Sequence, residues 1–305
     1  MSIVASLKPA GPNGFGYGST ADDVTEGVDL SGKTFLLTGC NSGIGLETLR
    51  SLTKRGARVI AAARTAEKAR LTCDQVDGLT EPVVCELSEP ASVRACAAQV
   101  KELGHELHGI ICNAGIMALP KLNQSHGYEL QFFTNHMGHF ILVTELLEAL
   151  SASGRVVAVS SEAHRSAPRG GIELDNLSGE RGYAGWAAYG QSKLANILFV
   201  KELARRFEGS EKAAIAVHPG VIATNLTRHM HPLLGAGWKM LEPLVLKSTA
   251  QGAATQTYAA AHPGAARHSG EYLSDCNPKK PSRHAQNSEL ARALWEKSEE
   301  IAASL

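Results

Sequence analysis

Residues 33–45 read KTFLLTGCNSGIG. Lys33 to Thr38 is a short apolar run without polar alternation, which predicts a buried strand. Gly39 to Gly45 reads as a turn, and Leu46 to Arg55 as a helix that Gly56 ends. The glycines stand at Gly39-x3-Gly43-x-Gly45. Missing side chains there let backbone approach a pyrophosphate at the start of a helix, where free N–H groups and the helix dipole favour anions. A glycine turn alone is a weak signal. Its place between a strand and a helix strengthens it and predicts the first unit of an α/β sheet.

The same alternation continues outward. Strands are expected at Ala57 to Ala63, Glu81 to Glu86, Gly109 to Cys112, Arg155 to Ser160 and Ala214 to His218, with a seventh near Gly270 to Leu273. Helices are expected at Ala66 to Cys73, at Ala91 to Leu103 with Ser88 as its cap, and at Ala187 to Arg206. Tyr128 to Leu150 reads as one long amphipathic helix, and Ser288 to Ala303 as a final one around Leu290, Leu294, Trp295 and Ile301. Apolar strands separated by helices imply a parallel sheet covered on both faces. The expected fold is α/β: a single-domain Rossmann fold over residues 29–305, with a doubly wound, seven-stranded parallel sheet. Residues 1–28 are rich in Gly, Pro and Ser and read as an extension, ordered only if it packs on the body. Residues 225–248 form a Leu-, Met- and Trp-bearing insert, expected to be a lid over an apolar substrate.

Composition narrows the function. Of 305 residues, 44% are hydrophobic, enough for a sizeable core. Thirty basic and 30 acidic residues balance, so no nucleic-acid stripe is expected. The six cysteines form no CxxC pair and read as reduced thiols, and no metal site is expected. The N-terminal stretch lacks the long apolar core of a signal peptide, and no apolar run reaches the ~18 residues of a membrane span. A cytoplasmic location is the expectation.

The tip of the second strand bears on cofactor choice. An acidic residue there would hold the ribose hydroxyls of NAD. This chain has Ala63 and then Arg64, which can pair with the 2′-phosphate of NADP. NADP(H) is therefore expected, with NAD(H) possible. Glu86 and Leu87 should lie at the adenine edge. Asn113, Ala114 and Gly115 follow strand four, where small residues let the chain pass beneath the cofactor. In the turn itself, Gly39, Asn41, Ser42, Gly43, Ile44 and Gly45 are the candidate contacts.

Residues 189–193 read YGQSK. Tyr189 and Lys193 are four apart, one helical turn, so a phenol and an ammonium share a face. A free tyrosine ionises near ~10, and a nearby cation would favour the phenolate. With a nicotinamide, this pair predicts hydride transfer in which Tyr189 handles the proton.

With these motifs placed, the chain resembles the short-chain dehydrogenases/reductases over about Ser31 to Leu305. The resemblance rests on TGCNSGIG, CNAG (Cys112 to Gly115), NHMGHF (Asn135 to Phe140), VSS (Val159 to Ser161), YGQSK and HPG (His218 to Gly220). Within that family VSSEAH, YGQSKLANILF, HPGVIATNL and the long spacer from Ser161 to Tyr189 look most like the retinol dehydrogenase and WW-domain oxidoreductase branch. Glu86 stands where relatives usually carry aspartate. The membrane-anchoring N-terminal segment of the vertebrate retinol enzymes has no counterpart here, which favours a soluble relative.

The resemblance implies further roles. Ser161, rather than Ser160, orients the substrate oxygen. Lys193 bonds the nicotinamide ribose. Asn135 holds a water linking that lysine to solvent. Pro219 and Gly220 pass the nicotinamide, Val221 meets its carboxamide, and Thr224 meets phosphate or carboxamide. A homodimer or homotetramer is implied by the two long helices, whose Leu142, Leu146, Leu150, Leu194 and Leu198 could cross a two-fold axis or bury against the sheet. The leading expectation is an NADP(H)-dependent oxidoreductase for a hydrophobic ketone, aldehyde or secondary alcohol. Its rivals are a non-enzymatic NADP-binding sensor or scaffold, an NAD-linked alcohol dehydrogenase and, lowest, a nucleotide-sugar epimerase or dehydratase.

Overall fold

Neighbouring residues of the central strands feed two different cores. Leu36, Ile110, Val156 and Ala214 point into one, and Phe35, Leu37, Ile111, Val157 and Ile215 into the other. Both faces of the sheet are thus covered, which is why these strands are apolar throughout rather than alternating. The computed structural model describes residues 8–222 and 246–305.

Eight strands make the main sheet: β1 Thr34–Thr38, β2 Arg58–Ala63, β3 Leu79–Val84, β4 Leu107–Cys112, β5 Leu150–Val159, β6 Ala213–His218, β7 Tyr272–Ser274 and β8 Asn277–Pro278. Their order is β8-β7-β6-β5-β4-β1-β2-β3. Every pairing is parallel except β7 with β8. Seven parallel strands agree with the doubly wound expectation; the eighth was not foreseen. Asp275 and Cys276 adopt left-handed backbone, φ 53° and 62°, and turn the chain back for one short antiparallel pairing.

The helices are α1 Gly43–Lys54, α2 Ala66–Cys73, α3 Pro90–Glu102, α4 Gly138–Leu146, α5 Gly185–Arg206, α6 Thr249–Ala261 and α7 Ser288–Ser304. Leu49 and Leu52 of α1 and Tyr258 of α6 join one core, while Val93 of α3, Phe140 of α4, Leu194 of α5 and Leu294 of α7 join the other. Among the described residues no helix is long and apolar enough to cross a membrane.

The long helix expected over Tyr128 to Leu150 is broken. Tyr128–Glu129 pairs with Gln124–Ser125 in a small ribbon, and the Glu129 carboxylate caps a short helix by accepting from Phe132 N at 2.7 Å. Phe133–Met137 is a π-helical turn, and α4 stops at Leu146 because Leu150 is already paired in the sheet beside Leu107. Leu142, Leu146, Leu150, Leu194 and Leu198 are all buried within this chain, so they pack on the sheet and offer no free face.

Residues 8–28 pack on the body. Asn13 Nδ2 donates to Cys276 O at 2.7 Å, Asn277 Nδ2 to Phe15 O at 2.9 Å, and Ala21 N to Ala250 O at 2.9 Å. Phe15 sits edge-on to Tyr258 and His262, and Ala21 and Val24 are fully buried.

Candidate active site

The sheet order reverses between β1 and β4, and open α/β sheets bind ligands outside the carboxyl ends of the strands at such a point. Here the two strand ends are tied together. Asn113 Nδ2 donates to the carbonyls of Thr38 at 2.8 Å and Gly39 at 3.1 Å, and its Oδ1 accepts from Gln256 Nε2 at 3.2 Å. A Cβ on Gly39 would lie 2.8 Å from the Ala114 backbone, and one on Gly45 would lie 2.2 Å from Gly39 O. Gly43 has φ +55° and open space around it. The Ser42 side chain makes no capping bond, so the first N–H groups of α1 are left for another partner. Asn41, Ser42 and Ile44 complete this turn.

A buried histidine braces the same point. His139 Nδ1 lies 3.0 Å from Asn135 O, which can only accept, so this nitrogen carries the hydrogen. Nε2 then accepts, at 2.8 Å, from the Thr38 hydroxyl. That hydroxyl oxygen itself accepts from Asn113 N at 3.0 Å and Ala114 N at 3.1 Å, leaving its hydrogen for His139 in preference to the longer 3.4 Å contact with Ile111 O. Burial, with the Lys193 charge nearby, pushes the His139 pKa down to about 4 and keeps the ring neutral. Sequence reasoning missed this residue; its signal was a polar side chain directly before the apolar run Phe140 to Val143.

Ser160 and Ser161 follow β5 and play different parts. Ser160 is buried and donates to Lys193 O at 2.7 Å, tying the strand to α5. Ser161 is half-buried, accepts from Ala163 N at 3.2 Å, and lies close enough to the Tyr189 phenol to favour its ionisation. The close packing depends on Gly190, where a Cβ would lie 2.6 Å from Ala163 O. Lys193 is buried one turn beyond Tyr189, and its Nζ donates to Val159 O at 3.0 Å. Burial lowers its pKa to about 8.

The Tyr189 pKa moves opposite to expectation. Burial raises it, and the nearby Ser161 hydroxyl offsets this only partly. Lys193 does not reverse the shift in the protein alone, because its Nζ lies 5.7 Å from the ring centroid and is directed at the Val159 carbonyl. The phenol is therefore held as a proton donor.

Asn135 sits in the π-helical turn with its side chain fully engaged as a donor. Nδ2 gives its hydrogens to Ile116 O and Ser192 Oγ, both at 2.9 Å, while Oδ1 accepts from Ile116 N at 2.8 Å. Any water it holds is held through oxygen. Gly115 lies between Asn135 and Lys193: a Cβ there would be 3.0 Å from Asn135 Oδ1 and 3.3 Å from Lys193 Nζ.

The remaining expected residues are spread along the same edge. Arg64 follows β2, is exposed, and forms no ion pair among the described residues. Glu86 is drawn into its own turn, where Oε1 accepts from Ser88 N at 3.2 Å and Ser88 Oγ at 2.9 Å. That turn also displaces Ser88 from its expected cap, since α3 begins at Pro90 after Glu89. Leu87 is buried against Gly138, where a Cβ would lie 2.3 Å from Leu87 O. His218 ends β6, neutral and buried, and Pro219 and Gly220 turn the chain. Gly220 has φ +92° and rests on the stem of the buried Lys247, whose Nζ pairs with Asp275 Oδ1 at 2.6 Å. The Val221 carbonyl accepts from Lys247 N at 3.0 Å. Thr224, and residues 225–245 of the expected lid, lie outside the described residues. No group of three potential metal ligands comes together among the described residues.

Residues 33–232 match the family model for short chain dehydrogenase. The chain is 40% identical to retinol dehydrogenase 12 of Mus musculus, over 91% of this chain and 88% of that protein. It is 39% identical to the chloroplastic short-chain dehydrogenase TIC 32 B of Brassica napus, over 97% of each. Among solved structures, an uncharacterised protein from Mycobacterium paratuberculosis superposes with a TM-score of 0.73 at 34% identity, covering 94% of this chain and 98% of that one. A metagenomic blue fluorescent protein in complex with NADPH has a TM-score of 0.65 at 22% identity, over 81% of this chain and 97% of that one, and shares the fold.

Proposed function

The chain belongs to the short-chain dehydrogenase family of oxidoreductases, and from that premise we propose that it moves hydride between NADP(H) and a hydrophobic ketone, aldehyde or secondary alcohol. The observation that carries this reading is the grouping of Ser161, Tyr189 and Lys193 at the carboxyl edge of the sheet, next to the open turn Gly39–Gly45. A non-enzymatic sensor would need the turn and none of the three side chains.

The turn fits a dinucleotide. Its N–H groups are uncapped, Gly43 leaves room, and Gly45 admits no side chain. Gly39–Gly45 would hold the phosphates, Arg64 the 2′-phosphate, Asn113 to Gly115 the underside, and Lys193 the nicotinamide ribose. When bound, the nicotinamide supplies or accepts the hydride. In reduction, Ser161 and Tyr189 bind the carbonyl oxygen, and Tyr189 Oη gives it a proton as the carbon gains the hydride. The buried Lys193 ammonium stabilises the phenolate left behind. Oxidation reverses these transfers. The retinol dehydrogenase names of the relatives support an alcohol–aldehyde pair, and the NADPH in the blue fluorescent protein supports the cofactor.

The test is binding of NADPH and NADH to the wild type and Arg64→Ala, followed by a carbonyl and alcohol panel. The proposal expects NADPH preference that Arg64→Ala abolishes. Equal binding of both cofactors would move an NAD-linked alcohol oxidation to the front. No turnover across the panel despite tight NADPH binding would favour the sensor.

A further inference from the structure

Few large apolar side chains are exposed among the described residues, and three of them lie on segments that carry candidate site residues. Trp186 is 58% exposed, Val221 49% and Met117 36%. They come from three separate segments: the start of α5, the turn after β6 and the loop after β4.

Trp186 lies one helical turn before Tyr189, on the same face of α5. Its indole meets the Tyr189 ring edge-on, with centroids 6.1 Å apart and planes at 79°. The first turn of α5 is held firmly. Tyr183 Oη donates to Leu119 O at 2.8 Å, and a Cβ on Gly185 would lie 2.3 Å from the same oxygen. Between Met117 and Leu119, Ala118 takes left-handed backbone at φ 49°, a conformation an alanine keeps only where its surroundings enforce it. The backbone that carries the tryptophan and the loop beside it are therefore held in place.

From this arrangement we propose that Trp186 sets substrate specificity by stacking against an aromatic ring borne at, or one carbon from, the reacting carbonyl carbon. This rests on the oxidoreductase reading above. A carbonyl oxygen on Ser161 and Tyr189 fixes one end of the substrate. The indole packs on the ring that carries the Tyr189 hydroxyl, so a group beside the indole sits close to the reacting carbon. Aromatic pairs prefer offset or edge-on contact at ~4.5–7 Å between centroids; the indole makes such a contact with the Tyr189 ring, and its exposed remainder is open to a second ring. Aryl ketones, aryl aldehydes and the matching benzylic alcohols are the class that fits. An apolar group placed far along a flexible chain would pass the indole by.

The experiment uses the full chain, loaded with oxidised cofactor for binding and reduced cofactor for turnover. Wild type, Trp186→Phe and Trp186→Ala are compared on an aryl ketone and an aliphatic ketone of the same carbon number. Turnover kinetics and saturation-transfer NMR of the ketones are both recorded. Trp186→Ala is expected to raise KM for the aryl ketone about tenfold and for the aliphatic ketone less than about twofold, with kcat little changed. Trp186→Phe should restore most of the loss. The NMR signal of the aryl ketone should weaken in step. Equal effects on both ketones, or none, would overturn the proposal. So would a change of oligomeric state in Trp186→Ala, which would assign the indole to a subunit contact. Aryl-ketone binding that depends on Trp186 without any turnover would instead sink the oxidoreductase reading alone.

Discussion

The Thr38 hydroxyl donates to Nε2 of the neutral, buried His139 across 2.8 Å. One bond thereby joins the last residue of β1, at the foot of the glycine turn, to the helix that follows Asn135. The same ring donates from Nδ1 to the Asn135 carbonyl. Strand end, Asn113–Ala114 backbone and π-helical turn are held by two side chains, Thr38 and His139.

His139→Phe should therefore loosen the cradle. It keeps the volume and leaves the Thr38 hydroxyl and Asn135 carbonyl short of partners, at a cost of about 1–3 kcal/mol. We expect a lower melting temperature and a cofactor Kd raised several-fold. His139→Asn, which keeps a donor near the Nδ1 position, should lose less. Calorimetry and cofactor titration check both.

Acid should destabilise the fold through the same ring. The folded His139 pKa is about 4 and the ordinary value 6.5, so the unfolded chain binds more protons between them. His218, also near 4, adds to the effect. Stability is fully present above pH 6.5 and falls as pH drops toward 4. Denaturant midpoints across that range should decline, and His139→Phe should flatten part of the slope.

Activity should have an alkaline limb set by Lys193. Its ammonium is held at a pKa of about 8 by burial. Carbonyl reduction, read as kcat/KM for the free enzyme, should fall above that pH. Because the unfolded lysine keeps its proton to 10.5, the fold itself should gain stability over the same interval. A pH–rate profile alongside melting curves separates the two. A flat profile to pH 10 would remove Lys193 from the proton chemistry.

Much of this was legible from local spacing. The glycine turn and YGQSK each place their residues within one turn or one helix, so a short window contains the geometry. Of the two serines after β5, Ser160 has its hydroxyl committed to Lys193 O. What the sequence hid depends on distant contacts. The His139 brace spans Thr38 to His139, and the buried Lys247–Asp275 pair joins residues on either side of α6. The break in the long helix follows from the cap by Glu129 and from the strand pairing of Leu150, neither visible in its hydrophobic period. Glu86 is expected at the adenine edge, and what the sequence does not show is that Ser88, two residues later, claims one of its oxygens. Whether residues 8–28 pack on the body is open from sequence, because Gly, Pro and Ser give no periodicity; their hydrogen bonds run to Ala250, Cys276 and Asn277.

Removing the chain before Lys33 should accordingly destabilise the body, since it uncovers Tyr258 and takes away buried Ala21 and Val24. By contrast, Asp22→Ala should cost less than about 1 kcal/mol, because the ion pairs of Asp22 with Arg50 and Lys54 are solvent-exposed. Thermal melts of the two variants test the contrast.

The most direct test of the proton assignment is Tyr189→Phe, measured for carbonyl turnover and for NADPH binding in the same preparation. Turnover should fall by at least about a thousandfold, as expected when the general acid and half of the oxygen-binding pair are removed. NADPH affinity should stay within about threefold, since the phenol is set against Ser161 and not against the glycine turn. Full activity in Tyr189→Phe would contradict the central claim, whatever the cofactor.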